Sequence, residues 1–262
     1  MANPALSNNP AFRGNAPVSA ATLEELYQRP SATPAETNRM TYEDTAVKTV
    51  VLFAVLLGTG AIGWFVPGLA IVGALVGFVL AMVNTFKRQP SVPLIVAYAA
   101  FEGLFIGGIT AIFEANFPGV AVQAVLATLV TVGVTLALFA SGKIRASARA
   151  TRIFLIAMVS YLVFRLVELV IVMIGGTQNG FGLSSDVKVF GIPLGLLVGV
   201  LAVVLAAYSL VLDFDQIQQG VRRGLPAKYG WTGAFGLMVT IVWLYVEFLR
   251  IFEIGRASCR ER

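Results

Sequence analysis

Seven apolar stretches of about 17–25 residues recur along the 262-residue chain, separated by short polar gaps. As helices rising about 1.5 Å per residue, each is long enough to cross roughly 30 Å of hydrocarbon. They run over Ala46–Phe65, Gly68–Phe86, Val92–Phe113, Gly119–Ala140, Ile153–Ile174, Phe190–Leu212 and Trp231–Phe252. Lipid offers the backbone no hydrogen bonds and a helix supplies its own, so the expected fold is all-α. It is a polytopic membrane domain of seven transmembrane helices over residues 46–253. The mean hydropathy of +0.82 and the 13% share of charged residues agree, since soluble domains carry about 25%.

The gaps set an orientation. Lys87 and Arg88 lie between spans two and three, Lys143, Arg145, Arg149 and Arg152 between four and five, and Arg222, Arg223 and Lys228 between six and seven. The gaps after spans one and three have no Lys or Arg, and the gap after span five has only Lys188. Basic loops stay in the cytoplasm. The expected location is therefore the cell (plasma) membrane, multi-pass, with the N-terminus cytoplasmic and the C-terminus outside. The same distribution accounts for the net charge of +5, and no nucleic-acid partner is expected.

Residues 1–45 hold Pro4, Pro10, Pro17, Pro30 and Pro34 and no apolar run of membrane length, and read as a disordered cytoplasmic tail. No basic segment leads directly into an apolar one there, so no signal cleavage is expected. Thr41, with Glu43 and Asp44 behind it, reads as the N-cap of the first helix. The last nine residues, 254–262, closely resemble the translation of a common sequencing-adapter read and are set aside from the fold as an assembly artefact.

The chain has no histidine and one cysteine, Cys259, which excludes the usual zinc sites, Ser-His-Asp triads and Cys-His dyads. An intramembrane aspartyl protease needs one Asp on each of two facing helices in a Gly-x-Gly-Asp context, which is absent. Every lysine lies at a span end or in a gap, against a Ser-Lys dyad, and no phosphate-binding glycine loop occurs. No enzymatic activity and no cofactor are expected.

What stands out is charge inside the spans, which costs about 2.5–3.5 kcal/mol per residue at a helix centre and so calls for partners in the bundle interior. The set is Glu102 on span three, Arg165 and Glu168 on span five, Asp213 and Asp215 near the end of span six, and Glu247, Arg250 and Glu253 on span seven. Arg165 and Glu168, three apart, share a face as an ion pair, unless Arg165 competes for a carboxylate on another helix. Glu102 lies one turn from the Tyr98 hydroxyl. Asp213 and Asp215 are about 200° apart around their helix. Asp213, with Gln216, is expected to point inward, and Asp215, with Gln218 and Gln219, to mark the aqueous interface. Glu247 pairs either with Arg250 on its own helix or across helices. Gly191, Gly195 and Gly199 on span six allow close helix packing.

Leu212-Asp213-Phe214-Asp215-Gln216-Ile217 and Leu244-Tyr245-Val246-Glu247-Phe248, on the last two of seven spans, resemble the paired signatures of the Bax inhibitor family, the transmembrane BAX-inhibitor-motif proteins. Asn9-Pro10-Ala11-Phe12-Arg13, Met40-Thr41 and Phe101-Glu102-Gly103 resemble its bacterial members, and the resemblance covers about residues 9–254. It implies two three-helix layers around a central seventh helix. It also implies a pH-sensitive calcium leak gated by two hydrogen-bonded acids, here Asp213 and Glu247, which would ligate calcium transiently; Arg165, Glu168, Asp215, Glu102 and Arg250 are the supporting charges. Glu247 departs from the Asp of that pattern. Two carboxylates in a poorly solvated bundle share a proton, which makes a pH switch without histidine.

Depth arithmetic opposes the pair. Counting about 1.5 Å per residue from Gly220 and from Trp231 places Asp213 about 10 Å and Glu247 about 24 Å from the same boundary, unless residues 220–229 form a loop and span seven starts in the headgroups or is tilted. The partners implied are the bilayer, calcium or another cation, and a membrane protein reached through the N-terminal tail. The rival function is a non-conducting scaffold that modulates a membrane protease or a stress-response complex.

Overall fold

Thr41 opens the first helix, α1 (Tyr42–Phe65): its Oγ1 accepts the Asp44 N–H at 3.0 Å, and Glu43 and Asp44 occupy the first turn. The N-cap is the one expected, but α1 starts four residues before the apolar run does, because the cap and not hydropathy decides where a helix begins. The computed structural model describes residues 38–174 and 187–260; most of the expected tail, 1–37, lies outside them. The other helices are α2 (Leu69–Phe86), α3 (Val92–Asn116), α4 (Val120–Ala140), α5 (Ala148–Met173), α6 (Leu194–Arg222) and α7 (Gly230–Arg260). Among the described residues seven helices are long and apolar enough to cross a membrane. The chain is an all-α polytopic membrane protein.

The ends of spans six and seven differ from the expected ones for local reasons. Span six does not start at Phe190. Phe190 and Gly191 have φ of 54° and 79° and form the turn of a minimal hairpin, β1 (Lys188–Val189) and β2 (Ile192–Pro193). Pro193, which has no N–H, is the N-cap of α6. Gly191 is thus outside the helix, and only Gly195 and Gly199 of the expected glycine row lie on it; Gly199 faces Ile251 of α7. At its other end α6 runs on to Arg222 through Asp213 and Asp215, and α7 likewise continues past Phe252. Polar residues end an apolar run without ending a helix.

Packing sorts the helices into two groups. α3 lies against both α1 and α2, while α6 touches α4 and, lightly, α5. α7 packs on α1, α3, α4 and α6, which gives it the central position. Leu52 and Leu56 of α1, Tyr98 and Ala99 of α3, and Ala234, Met238 and Val242 of α7 form one buried cluster. Between helices in lipid, close backbone approach replaces the hydrophobic effect as the source of contact. At Gly73 of α2 a Cβ would stand 2.6 Å from both the Phe101 carbonyl oxygen and the Phe105 nitrogen of α3. The neighbour is backbone and has nowhere to go. α5 is different: its buried residues are Phe154 and Glu168.

Gly73→Leu is expected to force α2 from α3 and lower the thermal unfolding midpoint in detergent, with a cost of about 1–3 kcal/mol or more for overpacking. The open Gly133, which has nothing within 4 Å of its Cβ position, is the matched control, and Gly133→Leu should leave the midpoint in place.

Candidate functional site

Two polar groups, separated by an apolar layer, lie along α7, the first shared with α6 and the second with α5. The first surrounds Asp213. Its Oδ2 accepts the Thr240 hydroxyl of α7 at 2.6 Å, Ser209 lies 3.4 Å from the same hydroxyl, and Asp213 faces Gly236, whose missing side chain makes room for it. Asp213, Gln216, Tyr229, Thr232 and Gly233 line a cavity of about 150 Å³. The cavity lies at the end of the bundle that carries the basic loops. There Lys228 reaches Gln89 at 3.1 Å and Arg145 approaches Gln218 at 3.4 Å, so the three basic gaps meet at one end. Among the described residues no Lys or Arg forms a salt bridge with Asp213.

One turn farther along each helix, Leu210 and Leu244 are fully buried and share a cluster with Ala206 and Leu237. Beyond this layer lies the second polar group. Arg165 of α5 donates from Nη2 to Glu247 Oε2 at 2.9 Å and Oε1 at 3.3 Å, from Nη1 to Glu168 Oε2 at 2.9 Å, and from Nε to the Tyr161 hydroxyl at 2.8 Å. Tyr161 in turn donates to Glu247 Oε1, and its ring lies against Trp243 of α7, centroids 5.7 Å apart. Arg250 of α7 donates to Glu168 Oε2 at 3.0 Å. Two guanidinium groups thus face two carboxylates, and the group is neutral as a whole. With so little of α5 buried, these contacts are what join it to α7.

The expected pair of acids does not form. Asp213 sits level with Gly236 and Thr240, whereas Glu247 is seven residues beyond Thr240, about 10 Å along the axis. The connection is shorter than the 220–229 loop that would have brought them level, since α6 continues to Arg222 and α7 starts at Gly230 after a short 3-10 turn, Ala227–Tyr229. The depth arithmetic was the better guide. Their oxygens therefore do not converge on one ion, and among the described residues no group of three or more acidic, Cys or His side chains is placed to hold a metal.

The other sites fall as follows. Arg165 and Glu168 pair on one helix, and Arg165 also crosses to Glu247, so both readings of it are realised. Glu247 takes the cross-helix option; Arg250 bonds Glu168 rather than Glu247, because Arg165 and Tyr161 already occupy both Glu247 oxygens. Glu102 is hydrogen-bonded to Tyr98 and faces Gly77 of α2. Asp215 accepts from Gln219 at 2.6 Å on the exposed side of α6. Glu253 is 5% exposed. Tyr161 and Thr240 were missed, although Tyr161, one turn before Arg165, was open to the same face argument that paired Glu102 with Tyr98.

A model of the family described as Bax inhibitor 1 like matches residues 3–257. The chain belongs to this family. Compared with curated proteins, it matches none.

Arg165→Met leaves Glu247 and Glu168 facing each other's helices without their shared cation. Breaking a buried pair in this way costs about 3–5 kcal/mol, to be read as a lower unfolding midpoint in detergent. Arg165→Met combined with Glu247→Gln should recover part of that loss; if the double variant is as unstable as the sum of the singles, the two groups are not coupled.

Proposed function

We propose that this member of the Bax inhibitor 1 like family is a pH-sensitive cation leak of the plasma membrane, with calcium as the first ion to test. The observation that carries the reading is Asp213, a carboxylate on the wall of a polar cavity at one end of the bundle, with a hydroxyl and no cation as its partner. A carboxylate with nearby hydroxyl and amide oxygens suits a hard cation that keeps much of its water, which favours passage over storage. Beyond it, Leu210 and Leu244 form an apolar constriction of the kind that blocks ions by excluding water.

Opening requires α6 and α7 to part at that layer, and the Arg165 group, which ties α7 to α5, is the latch that keeps α7 in place. Glu247 holds α5 to α7 through Arg165, and loss of its charge releases the guanidinium. Protonation of Asp213 acts in the opposite sense, by removing the charge that draws cations into the cavity. The two acids therefore have separate roles, Asp213 admitting cations and Glu247 holding the latch, and the flux should fall as Asp213 is protonated. The reading needs no catalytic step and no cofactor. The basic end of the bundle faces the cytoplasm and the C-terminus lies outside.

Purified protein in liposomes loaded with a calcium-sensitive dye tests the leak. Wild type should give a pH-dependent influx, Asp213→Asn should abolish it, and Glu247→Gln, which loosens the latch, should conduct more than wild type. No flux above empty liposomes from folded protein would discard the leak in favour of a scaffold that acts on a membrane-protein partner. Orientation is read in a Cys259→Ser background in whole cells: an impermeant maleimide should label Pro67→Cys directly and Arg223→Cys only after permeabilisation.

A further inference from the structure

The cavity beside Asp213 has a stopper supplied from before the first helix. We infer that the segment Asn38–Met40 is a removable strap, with the Met40 side chain as its plug, and that lifting it admits water and small solutes to the cavity. The strap lies antiparallel to the connection between α6 and α7. Met40 N–H donates to the Leu225 carbonyl at 2.7 Å, Ala227 N–H donates to the Asn38 carbonyl at 2.9 Å, and Arg39 pairs with Pro226 between them.

Met40 is 4% exposed and lines the cavity together with Gly220 and Leu225. Its thioether rests on Gly220, where an added Cβ would stand 3.0 Å from Sδ and 3.6 Å from Cε, and the Leu225 Cδ1 would be 3.6 Å from the same point. The glycine is what lets the plug seat. An unbranched, flexible side chain suits an irregular opening that must be filled and vacated.

The anchoring is divided so that the strap can leave alone. The connection it covers is held to α1 independently: Lys48 donates to the Ala227 carbonyl at 2.7 Å and to Asp44 at 2.5 Å, and its ammonium lies 5.7 Å from the Trp231 ring centroid. α1 is closed off by its own cap, with Asp44 N–H on Thr41 Oγ1 and the Thr45 hydroxyl on the Thr41 carbonyl at 2.8 Å. Rotation about Met40–Thr41 therefore detaches the strap without unwinding α1 or moving the loop. What opposes it is a pair of backbone hydrogen bonds and the burial of one methionine.

The test reads access and not ion flux, so its outcome is separable from that of the leak. In the full chain with Cys259→Ser, Thr232→Cys places a thiol on the cavity wall, and its rate of modification by a small hydrophilic methanethiosulfonate is followed in liposomes permeable to the reagent. With Met40 in place the reaction should be slow. Met40→Ala should speed it by about tenfold or more, the shift expected when a buried side chain of this size is truncated, and Met40→Leu should restore the slow rate. Gly220→Ala, which unseats the thioether while leaving it intact, should also speed it. Equal rates in wild type, Met40→Ala and Gly220→Ala, all with native unfolding midpoints, would overturn the strap, as would fast modification in the wild type. If Met40→Ala does not fold, the Gly220→Ala rate decides.

Discussion

A hydrocarbon core pairs with nothing, so every charge that enters it must bring or find a counter-charge, and here one guanidinium carries most of that duty. Arg165 answers Glu168 on its own helix and Glu247 on the central one, with the Tyr161 hydroxyl filling the space between. Remove it and the polar centre of the bundle has two acids and one remaining arginine. The position of α5 depends on the same residue, since this helix buries little apolar surface against its neighbours. In a water-soluble bundle such a helix would be held by its apolar face; in lipid that face is already satisfied, and the polar contacts decide where the helix stands.

The interface of α6 and α7 repeats the logic along its length. Apolar side chains close it at Leu210 and Leu244, and polar ones flank this layer, at Asp213 within the same interface and at Glu247 where α7 meets α5. The two carboxylates differ in kind because of their company. Glu247 is neutralised by a guanidinium, whereas Asp213 bonds the Thr240 hydroxyl and faces the space left by Gly236. The pairing of Glu247 suits it to holding helices together, and Asp213, bonded to the Thr240 hydroxyl on a cavity wall, to meeting something that arrives from the aqueous phase. The strap over the cavity adds a third element on that path, at the entrance rather than in the middle.

The helices were legible in the sequence because about 20 apolar residues in a row have one solution in a bilayer. Their ends were less so. Asp213 and Asp215 end an apolar run and yet lie well inside α6, and Phe190 reads as span although Pro193 makes the helix start after it. Which residues carry the site was legible too, since ionisable groups in spans are costly enough to stand out. Their partners were not. Spacing along one helix shows who shares a face, so Arg165 with Glu168 and Glu102 with Tyr98 could be read directly. The choice between Arg250 and Arg165 for Glu247 depends on the relative depth and rotation of two helices, which no single helix encodes. Met40 was hidden for a different reason: three residues ahead of a helix read as tail, and only the loop across from them shows that they pair.

The spacing of the charges also has a consequence for how the chain is made. Arg165 and Glu168 are three apart on α5, and Glu247 and Arg250 are three apart on α7. During synthesis α5 leaves the ribosome long before α7, at a time when Glu247 does not yet exist for Arg165 to bind. Each of these charges has a counter-ion one turn away on its own helix, so each pair can partition into lipid as a neutral unit. When α7 docks, Arg165 keeps Glu168 and adds Glu247, and Arg250 reaches across to Glu168. Membrane insertion and helix assembly are in this way uncoupled, and the same four side chains serve first as travelling companions within a helix and then as the fastening between two.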